Sequence, residues 1–158
     1  MTHSELWSAF LAEHPAVGAA AYQAWQYGSD DPDALLALTL SGVKTATASA
    51  YPAYLAEGEP LPAEGDYSVL LDSHGQARGI IQTTRVTVLP FSRVPAAQAW
   101  REGEGDRTLA FWQAVHRTVF TAELAALGQT FTEEMPVVCE EFTLVYPNPQ
   151  TLPKVALD

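Results

Sequence analysis

The sequence predicts an α+β fold, a small mixed, barrel-like β-sheet with flanking helices, and three observations lead there. Helical apolar spacing at the start gives way to strand-like stretches, then to helices again, then to a last strand. No β-α-β repeat accompanies that order, which argues against a doubly wound parallel sheet. The length of 158 residues, with 47% hydrophobic and 17% charged, fits one globular domain with its own core.

Ser4 reads as the cap of a first helix that carries Leu6, Trp7, Phe10 and Leu11 and is interrupted at Pro15. A second short helix is expected through Tyr22 and Trp25, stopping at Gly28. A third follows Asp31 or Ser29 as cap, with Pro32 in its first turn, leucines from Leu35 to Leu40 packing inward, and Gly42 as its stop. Thr45 to Tyr51 alternates small and hydroxyl residues, the pattern of a strand that neighbours approach closely or that faces a ligand. The stretch from Pro52 to Asp66, rich in Glu, Pro and Gly, reads as a long loop. Tyr67 to Asp72 and Ala77 to Leu89 read as a hairpin turning over Ser73 to Gln76.

After Pro90 the spacing is helical again. A short helix covers Pro95 to Arg101, and a longer one, marked by Leu109, Trp112, Val115, Val119 and Phe120, covers Arg107 to Leu127. Val137 to Tyr146 is the last strand. This makes one domain over residues 1–146, its opening helices within 4–41, and Pro147, Pro149 and Pro153 make 147–158 an extended tail.

Eight Lys+Arg against nineteen Asp+Glu give a net charge of −11, a field that repels a long phosphate backbone, so no long duplex nucleic acid is expected as partner. No run of apolar residues is long enough to cross a bilayer and the N-terminus lacks a signal-peptide pattern, so no membrane association and a cytoplasmic location are expected. A lone Cys139 and the lack of paired Cys/His spacings leave no basis for a metal or another cofactor. Lys44 is the only Lys or Arg before Arg78, in a stretch with ten acids, and an isolated cation there invites a specific reason.

Two segments could carry chemistry. In SGVKTATAS a glycine delivers Lys44 and then hydroxyl residues onto a small-residue strand, so that Lys44 and Thr47, three apart, could form a lysine-assisted nucleophile; the alternative is a surface lysine near a helix C-terminus. In REGEGDRTL two glycines separate Glu102, Glu104 and Asp106, and a flexible backbone could aim one carboxylate into a cleft; the alternative is an acidic helix start with Asp106 as cap. His116, between Trp112 and Phe120, reads as a hydrogen-bonded structural histidine, and Cys139 as a buried small apolar residue. Glu140 and Glu141 are adjacent on a strand and face opposite ways, so the inward one needs a partner, for which Lys44 is a candidate. Tyr51, Tyr54 and Tyr67 could stack on a base or pack in the core. Arg78, Arg85 and Arg93 form the one basic cluster, and the first two fall on opposite faces if their strand is regular.

Four segments, GVKTATAS, LPAEGDYSVLLD, FSRVPAAQAWREGEGDRTLAFWQAVHRTVF and VVCEEFTLVY, together resemble the ASCH-domain family, in its subgroup of short stand-alone bacterial proteins, over about Tyr22 to Tyr146. The resemblance implies a PUA-like fold, a small β-barrel with flanking helices. It implies RNA binding, or, as in some small bacterial members, hydrolysis of N4-acetylcytidine or ribonuclease activity. The family motif GxKxxExR puts its lysine on Lys44; its glutamate position is Thr47 here, as in the amidohydrolase members, and Ser49 stands where the motif has arginine. By the same resemblance the catalytic carboxylate is Glu104, with Glu102 as the alternative.

The expected activity is amide hydrolysis on an N4-acylcytidine-like nucleoside. Thr47 attacks, Lys44 relays its proton or stabilises the oxyanion, and Glu104 orients Lys44 or acts as base. Gly42, Thr45, Ser49, Glu102, Tyr67 and Glu140 are the expected substrate wall. The partner is then a small nucleoside or a short single-stranded RNA. The rival readings are a nucleotide- or RNA-binding module without catalysis, a ribonuclease, and an inactive partner-binding protein.

Overall fold

The computed structural model describes residues 1–147, so the tail expected over 147–158 lies, Pro147 apart, outside the described residues. Five strands form one mixed sheet: β1 (Tyr22–Trp25), β2 (Ala46–Ala50), β3 (Tyr67–Leu71), β4 (Ala77–Pro90) and β5 (Pro136–Tyr146), in the order β1-β3-β4-β5-β2. Only β1·β3 is parallel; the other pairs are antiparallel. Five α-helices surround the sheet: α1 (His3–Glu13), α2 (Pro32–Leu40), α3 (Tyr51–Glu57), α4 (Ala96–Glu102) and α5 (Leu109–Ala126). The α+β class is as expected. Hydrogen bonding does not close the sheet: β1 and β2 are its free edges, and the Lys44 ammonium, just before β2, sits 5.4 Å from the centroid of the Tyr27 ring, just after β1.

Three apolar clusters hold these layers. Leu6, Trp7 and Phe10 of α1 cover Val69, Ala77 and Ile80, each such buried side chain contributing about 1.5–3 kcal/mol. Trp112, Phe120 and Leu124 of α5 meet Phe91, Val137 and Cys139, while Leu36 of α2 joins Tyr27, Leu70, Ile81 and Phe142.

Several sequence expectations are corrected. The segment with Tyr22 and Trp25 is a strand rather than a helix, because pairing with Tyr67–Leu70 satisfies its backbone and outweighs an i,i+3 aromatic spacing. The loop expected from Pro52 to Asp66 begins as helix: Pro52 occupies the first turn of α3 and Gly58 caps its end, while the far end is tied to β4 by Gly65 N–H to Thr83 O (2.8 Å) and Thr83 N–H to Asp66 O (2.9 Å). The first helix is capped by Thr2, which forms a capping box with Glu5, rather than by Ser4. Thr108, not Asp106, caps α5, and Asp106 instead accepts from the Thr108 amide and hydroxyl. β4 is not regular, since its register against β5 shifts between Ile80 and Ile81 and between Thr83 and Arg85.

Candidate functional site

Lys44 is fixed from its backbone outward. After α2 ends, the amides of Val43 and Lys44 both donate to Leu38 O at 3.0 Å, and Thr45 N–H donates to Arg101 O at 2.7 Å. This joins the start of β2 to the end of α4. The side chain therefore runs inward, and Lys44 is 1% exposed, which removes the surface-lysine reading.

The EGEG segment supplies the counter-charges. Gly103 (φ +73°) and Gly105 (φ +57°) hold left-handed backbone, and a Cβ on the first would lie 2.9 Å from Val43 and one on the second would clash with the Phe111 ring. These glycines thus serve close packing in a fixed turn, not the flexibility the sequence suggested. The turn brings Glu104 Oε2 to 3.1 Å and Glu102 Oε1 to 3.6 Å from Lys44 Nζ. Glu102 is sealed among Lys44, Gln98 Nε2 (3.1 Å) and the Trp112 indole N–H, whereas the Glu104 side chain keeps 23% of its surface open.

His116 belongs to this cluster rather than to the core alone. It stacks on Trp112 with centroids 4.1 Å apart, and its Nδ1 lies 2.8 Å from the Trp112 carbonyl oxygen. That oxygen only accepts, so Nδ1 carries the hydrogen. Nε2 then faces Glu102 Oε1 at 3.6 Å.

A cavity of about 1180 Å³ opens beside this cluster, above the size of most small-molecule sites. Lys44, Thr47, Ser49, Glu102, Glu104 and Glu140 all border it, as does His116. Thr47 sits on β2 directly across from Glu140 on β5, so the two side chains share a face. The Thr47 carbonyl accepts from Gln98 Nε2 at 3.1 Å, and its hydroxyl has no hydrogen-bond partner among the described residues. The Ser49 hydroxyl is paired with Tyr54 OH at 2.8 Å. Tyr54 is a cavity residue whose phenol burial makes harder to ionise.

Two expected wall residues lie elsewhere. Gly42 stays in the turn after α2, and Thr45 is spent on Arg101 and on accepting the Phe142 amide (3.0 Å), so neither borders the cavity. Tyr67 does border it, but its ring packs on Trp7 and Phe10 at 5.4 and 5.7 Å, which makes it chiefly a core residue. Glu140 is the inward member of its pair, as alternation requires, yet its partner is not Lys44 but Thr83, whose hydroxyl donates to Oε1 at 2.6 Å. Burial raises the Glu140 carboxyl above the ordinary range, and the Thr83 hydrogen bond offsets this only in part. Glu141 points the other way, to Arg101 (3.3 Å) and Arg85 (3.8 Å). Burial pushes the Cys139 thiol up to about 12, in keeping with an inert core position.

Gln98, Trp112 and Thr83 were missed by sequence reasoning. Gln98 stands one helical turn before Glu102, and Trp112 one turn before His116, a spacing that could have flagged both. Thr83 gave no local signal, because it reaches Glu140 only through the β4·β5 pairing.

The ASCH domain family model matches residues 23–146 of this chain. The chain belongs to the ASCH domain family. It is similar to the ASCH domain from Lactobacillus crispatus JV V101, with 30% identity, TM-score 0.86, and 91% of this chain and 94% of that chain covered. A crystallised protein of Enterococcus faecalis V583 is 34% identical, with TM-score 0.82 and coverage of 90% of this chain and 86% of that one. A third structure, of a hypothetical protein, shares the fold alone at 13% identity, TM-score 0.52, and coverage of 78% and 97%. No curated protein matches the sequence. Among the described residues no helix is long and apolar enough to cross a membrane.

Proposed function

We propose that the protein hydrolyses the amide of an acylated nucleoside of the N4-acylcytidine type. The observation that carries the reading is a buried ammonium, Lys44, held by two carboxylates beside an unpartnered hydroxyl, Thr47, in a cavity large enough for a nucleoside. Lys44 Nζ borders the cavity between Glu102 and Glu104, and is assigned to the oxyanion, with Glu104, the more open of the two carboxylates, left for proton transfer.

In this mechanism Thr47 Oγ attacks the amide carbon and its proton passes to Glu104, directly or through one water. The carbonyl oxygen becomes an oxyanion facing Lys44. The C–N bond then breaks as Glu104 returns the proton to the leaving amine; water, deprotonated by Glu104, attacks the acyl–Thr47 ester, and as its C–O bond breaks Glu104 passes that proton to Thr47 Oγ, releasing the acyl group as a carboxylic acid. Glu102, with no room for substrate, positions Lys44.

The rival reading, an RNA-binding module without chemistry, draws support from the aromatic cavity residues such as Tyr54 and from the family. Against it, Arg78 is bound by Asp72 at 2.8 Å and Arg85 faces Glu141 at 3.8 Å, leaving little free positive charge on that hairpin for phosphates. Chromatographic assay of N4-acetylcytidine with the intact chain tests the reading: cytidine and acetate should appear. Absence of product, together with RNA binding that falls steeply with salt, would put the binding module in its place.

A further inference from the structure

Glu140 is a buried acid whose electrostatics the protein leaves unfinished. It is 9% exposed, and its Oε1 accepts from the Thr83 hydroxyl at 2.6 Å. Its Oε2 has no partner, and no fully buried side-chain oxygen or nitrogen lacks a partner among the described residues, so Oε2 is open to the cavity that Glu140 borders. The ionisable groups facing it are Asp66 before β3, Tyr54 of α3 and Tyr27 after β1, none of them a cation. The platform is rigid, because the Thr83 backbone is bonded in both directions to the Gly65–Asp66 turn.

We infer that Glu140, ordered by Thr83, is the specificity-determining residue that reads the N–H/ring-nitrogen edge of an uncharged amino-heterocycle. The inference rests on the hydrolase reading for the kind of ligand. Thr47 and Glu140 are direct cross-strand partners, with Cβ atoms about 4.5–5.5 Å apart. Whatever Glu140 touches must therefore adjoin the amide that Thr47 attacks, and in an N-acylated amino-heterocycle the adjoining atoms are the amide N–H and the neighbouring ring nitrogen.

Thr83 fixes the order of the two contacts. With the Thr83 hydroxyl donating to Oε1, the neutral acid carries its proton on Oε2. Oε1 then takes the ligand N–H with its second lone pair and Oε2–H donates to the ring nitrogen. A uracil edge, with acceptor and donor exchanged, meets this pair wrongly. Phosphate is refused by charge: besides Glu140, six acidic side chains border the cavity against one lysine and one histidine, with no arginine.

Calorimetric titration of the intact chain with cytidine, uridine and cytidine 5′-monophosphate tests this without requiring turnover. Cytidine should bind on the order of tenfold more tightly than either of the others, and its affinity should fall as rising pH ionises Glu140. Glu140→Leu should lose the preference. Glu140→Gln, which keeps an acceptor beside a donor, should retain it and lose its pH dependence. Failure of wild type to bind cytidine, equal binding of uridine, or an undiminished preference in Glu140→Leu would overturn the inference. A chain that binds cytidine as described but leaves N4-acetylcytidine intact loses the hydrolase reading and keeps this assignment. One that hydrolyses it while Glu140→Leu keeps the preference does the reverse.

Discussion

Asp72, in the turn that follows β3, and Glu140, on β5, are 5% and 9% exposed, and their environments drive them in opposite directions. At the β3–β4 turn Asp72 accepts from the amides of Gln76 and His74, both at 2.9 Å, and from Arg78 Nε at 2.8 Å. Those donors, the Gln76 amide first, hold its carboxyl below the ordinary range. Glu140 receives one hydroxyl and is pushed up by burial. Asp72, which shapes a turn, is bonded at both oxygens, whereas Glu140, which borders the cavity, keeps one oxygen for something else.

The largest effect should come from removing the ion that lets the cavity acids coexist. Lys44→Met leaves Glu102 buried without its cation, and a loss of about 3–5 kcal/mol in urea unfolding is expected. A variant as stable as wild type would mean that the cluster does not rely on Lys44. Thr47→Val keeps shape and removes the hydroxyl, so turnover of N4-acetylcytidine should fall by at least ~10²-fold with the melting temperature nearly unchanged. Loss of stability instead would move Thr47 to the structural side of the comparison.

Gly103→Ala forces a Cβ against Val43 at 2.9 Å in left-handed backbone. A cost of about 1–3 kcal/mol is expected, with weakened activity because the Glu104 turn shifts. The smallest effects are pH slopes of stability. The Asp72 carboxyl is lowered in the folded chain, so its contribution is present above its unfolded value, about 3.9, and is lost as pH falls through the folded one; Asp72→Asn should flatten the acid limb. The Glu140 carboxyl is raised, so its contribution is present below the unfolded value and is lost as pH rises through the folded one. Glu140→Gln should therefore gain relative to wild type as pH rises. Slopes of the same sign in the two variants would dissolve the contrast.

What the sequence made legible is local. A helix N-terminus at Asp31–Pro32, the hairpin over Ser73 to Gln76 and the long helix with Trp112 and His116 were readable because each depends on neighbours within a few residues. The strand at Tyr22–Trp25 was misread because only pairing with β3, more than forty residues on, decides between helix and strand there. In the cavity, Lys44, Thr47 and the Glu102/Glu104 choice were visible through composition and motif. Their depth was not, since it comes from the Thr45–Arg101 bond and the close approach of Gly103 to Val43. The Thr83–Glu140 contact spans a bulge in a ladder fifty-seven residues apart, beyond any spacing rule.

The Lys44–Tyr27 meeting at the open seam has an evolutionary consequence. One side chain both spans the gap between the two unpaired sheet edges and neutralises the acids behind it, so a descendant that had abandoned chemistry would still be selected to keep it. Lysine at this position in a relative therefore reports an intact scaffold, while under the proposed hydrolysis the reporters of turnover are the hydroxyl of Thr47 and the half-open carboxylate of Glu104. Sorting family members by those two positions, and not by the lysine, should separate lineages that turn over a substrate from lineages that only hold one.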